Sequence, residues 1–148
     1  MPPETPDDAI QKLYHALTYD HDTMPDWKLL RSLFLEDALL IHAIDTTYQK
    51  MDIDEFIERF KKQINSGNLL QFRESEINRK RDSYAGIYHA FSTYSATIES
   101  TDGTDTVRGV NSIQLIRKDG GWFITSILWF DETDKYALPD EYLPPQNR

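Results

Sequence analysis

The stretch RGVNSIQLIRKDGGWFITSILWFDE, Arg108 to Glu132, decides the fold. Apolar and polar residues alternate on both sides of Asp119-Gly120-Gly121. A period of 2 broken by glycines predicts two antiparallel strands, at about Val107 to Arg117 and Trp122 to Phe130. Regular alternation carried out from that turn places Ser112, Gln114, Thr125 and Trp129 on one face. Ile113, Leu115, Ile124 and Leu128 fall on the other, together with Asn111, read as an interface or bulge residue beside Gly109. A mixed polar and aromatic row in mid-sheet either meets water or lines a cavity.

Upstream the same period continues back to Gly67, predicting strands at about Leu70 to Arg81 and Ile87 to Glu99, with turns at Asp82 to Gly86 and Thr101 to Thr104. These add Phe72, Glu74, Glu76, Ser92 and Tyr94 to the polar-aromatic face, and Ile77, His89 and Phe91 to the apolar one. Before Gly67 the period is 3.6. Thr5-Pro6-Asp7-Asp8 reads as a helix cap followed by Ile10, Leu13, Tyr14 and Leu17 at helical spacing. A short second helix from near Asp26 buries Trp27, Leu30, Leu33 and Phe34. Ala38 to Ile44 reads as a strand interrupted by His42. Asp52 and Glu55 form a capping box for a third helix, with Phe56, Ile57, Phe60 and Ile64 as its stripe and Ser66-Gly67-Asn68 as its stop. Helices first and a meander afterwards is an α+β pattern. The expected organisation is a flexible N-terminus at 1–6, one domain at 7–132 and a C-terminal extension at 133–148.

Composition narrows the function classes. The chain has 148 residues, enough to bury a core without staples, and no cysteine, so thiolate chemistry and disulfides are excluded. A formal charge of −9 repels phosphate backbones and argues against nucleic acid as a partner. Met1 to Pro6 lacks a basic flank and an apolar run, and no stretch of about 18 apolar residues occurs. No signal peptide, no membrane partner and a cytoplasmic location are therefore expected. No pair of histidines has metal-ligand spacing, so no metal is expected, and neither a phosphate-cradling glycine loop nor G-x-S-x-G is present.

Periodicity leaves two arrangements open. In one, the apolar face meets the helices and the polar face meets water. In the other, a curved sheet encloses a pocket with its polar-aromatic face, and the apolar face is covered by a second subunit.

Several motifs bear on this choice: Phe72 with Glu74, Glu76-Ile77 and Arg79; His89-Ala90-Phe91-Ser92-Thr93-Tyr94; Arg108-Gly109-Val110-Asn111-Ser112-Ile113-Gln114-Leu115; and Trp129 with Glu132. Together with the order helix, helix, strand, helix, meander, they resemble uncharacterised members of the nuclear transport factor 2-like superfamily. That group includes ketosteroid isomerase, scytalone dehydratase and SnoaL-like cyclases. The resemblance covers Asp8 to Glu132. It implies a cystatin-like α+β cone with three N-terminal helices packed on a curved antiparallel sheet, a pocket between them, and a homodimer through the outer sheet face. Against the ketosteroid isomerase pattern, Trp129 falls at a pocket tryptophan, Ser112 at the oxyanion-hole aspartate and His42 at the general-base aspartate, with Tyr14 near the oxyanion-hole tyrosine. Serine and histidine at those places do not carry that isomerisation over.

Each candidate has a functional and a structural reading. His42 carries an imidazole, the side chain suited to a general base, or it is a hydrogen-bonded core histidine. Glu74 and Glu76 act as acid or base if a cavity shifts them apart, or one of them pairs with Arg79 or Arg108. Tyr14 and Tyr94 polarise a carbonyl or complete a polar network. The expected ligand contacts are Tyr94, Ser112, Gln114, Ile127, Trp129, Phe56 and Phe60. Three functions follow: binding of a small, largely apolar oxygenated molecule, cofactor-free isomerisation, dehydration or cyclisation with His42 as base, or a dimeric adaptor with no ligand.

Overall fold

The computed structural model describes residues 2–145. Helix α1, Pro6–Ala16, is capped by Thr5, whose hydroxyl accepts from the Asp8 N–H at 3.0 Å, and it buries Ile10, Leu13 and Tyr14. Helix α2, Trp27–Ser32, is capped by Asp26 and ends at Leu33. Strand β1, Phe34–Ile44, begins at the next residue, so Phe34 belongs to the sheet and not to the helical stripe. Asp45, in the left-handed region at φ 49°, turns β1 into β2, Thr47–Met51, a strand the sequence pattern did not signal. Helix α3, Ile53–Asn65, has both bonds of the predicted capping box, at 2.8 and 3.1 Å.

The meander follows as β3, Leu69–Tyr84, β4, Ile87–Ser100, β5, Gly103–Lys118, and β6, Gly121–Asp131. Asp119 and Gly120, both at positive φ, make the two-residue reversal between β5 and β6. The sheet order is β2-β1-β6-β5-β4-β3. It is mixed rather than antiparallel, because β1 runs parallel to β6. No hairpin joins these two strands, so nothing forces them antiparallel.

Neither of the two predicted face sets survives intact. The pairing Leu115↔Ile124 shifts to Gln114↔Ser126, which leaves Thr125 as an extra residue, a β-bulge. Unbroken alternation from the turn would set Ser112 opposite Ile127. The bulge sets Ile113 there instead and brings Asn111 opposite Trp129. Ser112, Gln114 and Thr125 therefore lie on the outer face with Phe91 and Leu128.

The inner face is a composite. At its closed end Ile113, Leu115 and Ile124 pack with Ile10, Leu13, Leu30, Leu33 and Ile57 from the helices. Each such fully buried side chain contributes roughly 1.5–3 kcal/mol. At its open end the face turns polar.

Near the N-terminus Pro3 is buried and its carbonyl accepts from the Trp122 N–H at 2.9 Å. In the C-terminal extension, the Leu138 N–H donates to Glu132 at 2.7 Å, the Tyr136 hydroxyl to Asp45 at 3.0 Å, and the Tyr142 ring packs on Phe91.

Candidate functional site

Two rows of residues cross the inner face. One runs Arg79, Ser92, Asn111, Trp129, His42 over five strands, and the next runs Glu76, Tyr94, Gly109, Asp131 over four. Gly109 makes the second row possible. A Cβ there would collide with the Tyr94 hydroxyl and the Phe130 carbonyl. Without one, the Tyr94 ring lies across β5 and its hydroxyl donates to Asp131 Oδ1. The other Asp131 oxygen, Oδ2, is 3.2 Å from His42 Nε2, and the imidazole stacks on Trp129 with 5.0 Å between ring centroids and 10° between planes.

These groups open onto a cavity of about 320 Å³ between helices and sheet. Its walls are apolar (Leu13, Leu17, Phe56, Phe60, Phe72 and Ile127), and its polar points are His42, Glu74, Tyr94, Asn111 and Asp131. This is the composition of a small-molecule site, mostly apolar with a few placed polar groups.

Electrostatics set one of those groups apart. Burial pushes the Glu74 carboxyl up to about 7, and the Asp131 charge adds to that, while the Asn111 amide offsets it in part. Burial also raises Tyr94, reinforced by its bond to Asp131, so its hydroxyl stays protonated. With Tyr94 donating to the Asp131 carboxylate, His42 donates Nε2–H to the other oxygen, which leaves the lone pair on Nδ1.

A second network backs the first. Ser92 donates to Glu76 Oε2 at 2.5 Å, and Arg79 binds Glu76 through Nε and Nη2 at 2.9 Å each. Ser92 has spent its proton on Glu76, so the 2.6 Å contact from Tyr14 is a donation by Tyr14 to Ser92. Asn111 Nδ2 in turn donates to the Tyr14 oxygen at 3.0 Å. Burial raises Tyr14, so it too stays protonated.

Of the residues expected from sequence, His42, Glu74, Tyr94, Ile127, Trp129, Phe56 and Phe60 come together around the cavity. Tyr14 and Glu76 stand behind it in the second network. Ser112 and Gln114 are outside it, bonded to His89 at 2.9 Å and Ser126 at 3.0 Å. Asn111, assigned from alternation to the other face, is a cavity residue. Asp131 was missed because the predicted strand stopped at Phe130. The available signal was Thr125-Ser126, two polar residues together inside an apolar strand, which break the period where the bulge sits.

Solved structures share this architecture. A candidate aromatic ring hydroxylase from Novosphingobium aromaticivorans is 20% identical with a TM-score of 0.68, over 90% of this chain and 87% of that one. A candidate scytalone dehydratase from the same species is 15% identical with a TM-score of 0.66, over 96% of this chain and 91% of that one. The chain has the nuclear transport factor 2-like fold. Hexachlorocyclohexane dehydrochlorinase LinA-type3 from Novosphingobium barchaimii shares this fold, at 12% identity and a TM-score of 0.67, over 86% of this chain and 84% of that one. No family model and no curated protein matches the sequence. Among the described residues no helix is long and apolar enough to cross a membrane, and no group of three or more metal-ligating side chains occurs.

Proposed function

We propose that this protein catalyses cofactor-free proton transfer, an elimination or isomerisation, on a small, largely apolar oxygenated molecule held in the cone. The supporting observation is the convergence of His42, Asp131, Tyr94 and Glu74 on one apolar cavity. A general base must stand beside a group that fixes its tautomer, and a general acid needs a pKa near the working pH. His42 held by Asp131 meets the first condition and Glu74, near 7, the second.

In the elimination, His42 Nδ1 takes a proton from a C–H made acidic by a neighbouring carbonyl. The electron pair forms C=C, the C–O bond breaks, and protonated Glu74 delivers its proton to the departing hydroxyl as water. Return of the His42 proton to Glu74 resets the site. The names of two structural neighbours, a dehydratase and a dehydrochlorinase, both denote eliminations and support the reaction class.

The test is incubation in heavy water with a panel of cyclic β-hydroxy ketones, following C–H exchange and loss of water by NMR in the native protein, His42→Ala and Asp131→Asn. Exchange or dehydration that depends on both residues is expected. Ketones that shift the Trp129 indole resonance yet exchange no faster than in buffer would leave the second reading, a binding protein without turnover, which the apolar walls favour.

The outer face exposes Leu39, Ile87 and Leu128. We infer that two copies pair through it, as an exposed apolar sheet face favours. Light scattering on the purified chain should return twice the mass of 17.3 kDa, and a monomer would dismiss the pairing.

A further inference from the structure

A second opening adjoins the cavity. It is a groove of about 480 Å³ lined by Gln49 and Met51 from β2 and by Arg59, Lys62 and Gln63 from α3, and it shares His42, Phe56, Phe60 and Trp129 with the cavity. The stacked His42–Trp129 pair therefore borders both spaces. We propose that this groove is an anion subsite at the mouth of the pocket, so that the substrate is an amphipathic carboxylate with its apolar body inside and its carboxylate outside. This rests on the proposed pocket reading above and adds the class of substrate.

Charge placement carries the assignment. Arg59 and Lys62 make no ion pair or side-chain hydrogen bond among the described residues, although acids stand four positions before each. Glu55 is committed to the Asp52 N–H at 3.1 Å, and Glu58 lies 3.9 Å from Lys61. Two unpaired cations thus flank one opening of a chain whose formal charge is −9. The cavity behind them holds the opposite sign, in the Asp131 carboxylate.

A ligand anion inside would meet the Asp131 carboxylate, whereas at the mouth it meets a guanidinium, an ammonium and two glutamine amides. This polarity fixes one orientation, since like charges within a few ångströms cost far more in the apolar interior than in the groove. Arg59 also suits a carboxylate by its planar pair of N–H donors. The bland alternative is a solvated helix face. It does not account for the unpaired cations lying on a groove that shares four lining residues with the cavity.

The experiment compares 2-naphthoate with 2-naphthamide, which has the same ring body and no charge. Binding is followed through the Trp129 indole N–H resonance, assigned by its loss in Trp129→Phe. Naphthoate should bind the native protein more tightly. Arg59→Gln with Lys62→Gln should weaken naphthoate by roughly fivefold or more while leaving naphthamide unchanged. Raising salt from about 20 to about 300 mM should narrow the gap between the probes in the native protein. Arg81→Gln, a charge change outside the groove, should alter neither. Equal affinities for the two probes, or a double variant with undiminished naphthoate binding, would overturn the subsite and leave the pocket standing. If neither probe moves Trp129, subsite and pocket fall together.

Discussion

Glu74 and Glu76 are two residues apart on one strand and point to the same side of the sheet, yet their surroundings differ. Glu76 receives two N–H bonds of 2.9 Å from Arg79 and one O–H bond from Ser92. Glu74 has no cation partner among the described residues, and burial pushes it up to about 7. The cause lies in the backbone. The pairing of β3 with β4 shifts between Glu76 and Asn78, and the extra residue, Ile77, brings Arg79 round to the side of Glu76. Without that bulge the arginine would face the opposite way. A carboxylate with both oxygens engaged by a cation and a hydroxyl holds structure together. One left short of partners beside a cavity keeps its proton mobile and is available for chemistry. Asn111 joins the two regions, donating to Tyr14 on one side and lying against Glu74 on the other.

The contrast is open to attack at four points. The largest effect is expected from Asp131→Asn, which removes the carboxylate that orders His42 and Tyr94. The proposed exchange activity should fall roughly 10²–10⁴-fold with the fold retained by circular dichroism. A loss under threefold would take Asp131 out of the active group.

Next comes Arg79→Ala, which strands Glu76. Because both side chains keep some solvent contact, a cost of roughly 2–3 kcal/mol in urea unfolding is expected, below that of a fully buried pair. Adding Glu76→Gln should recover part of it, and failure to do so would show that Arg79 acts through packing alone.

Third is Glu74→Gln. The carboxyl is raised in the folded state from 4.5 to about 7. Between those values the folded protein holds a proton that the unfolded chain has released. Stability therefore declines as pH rises through that window and levels off above it. The glutamine variant should lack this decline and be more stable above pH 7 by roughly 3 kcal/mol, while the elimination stops. Identical pH–stability curves for the two proteins would mean Glu74 is not held protonated.

The smallest effect belongs to Ser112→Ala on the outer face, expected within about 0.5 kcal/mol and without influence on ligand affinity. A clear loss of binding there would reverse the face assignment.

The elements were legible in the sequence where local chemistry decides them. Thr5 and Asp52 mark helix starts because a cap is a bond between neighbours, and the Asp119-Gly120 reversal needs backbone angles that few residues tolerate. What stayed hidden depends on partners distant in the chain. Strand β2 is exposed at four of its five residues and shows no hydrophobic period. The parallel pairing of β1 with β6 joins segments some 85 residues apart (His42 with Trp129), which no local pattern encodes. Of the candidate site, His42 and Trp129 were reached through the family resemblance and Tyr94 through the regular alternation of its strand. Asn111 was lost because the bulge at Thr125 on the facing strand changes which β5 residues share a face with Trp129.

That bulge behaves like a frameshift in a message. The turn at Asp119-Gly120 starts the reading, and one inserted residue changes which side everything after it is read on. Upstream of Thr125 the inner face is plain hydrocarbon; beyond it come Ile127, Trp129 and Asp131. Were Thr125 drawn into regular pairing opposite Gln114, no side chain would change, yet Leu128 and Phe130 would face the cavity and Trp129 and Asp131 would turn outward. Deleting Thr125, by contrast, would keep Trp129 opposite Asn111, so the polarity of the cavity hangs on one residue held out of the ladder.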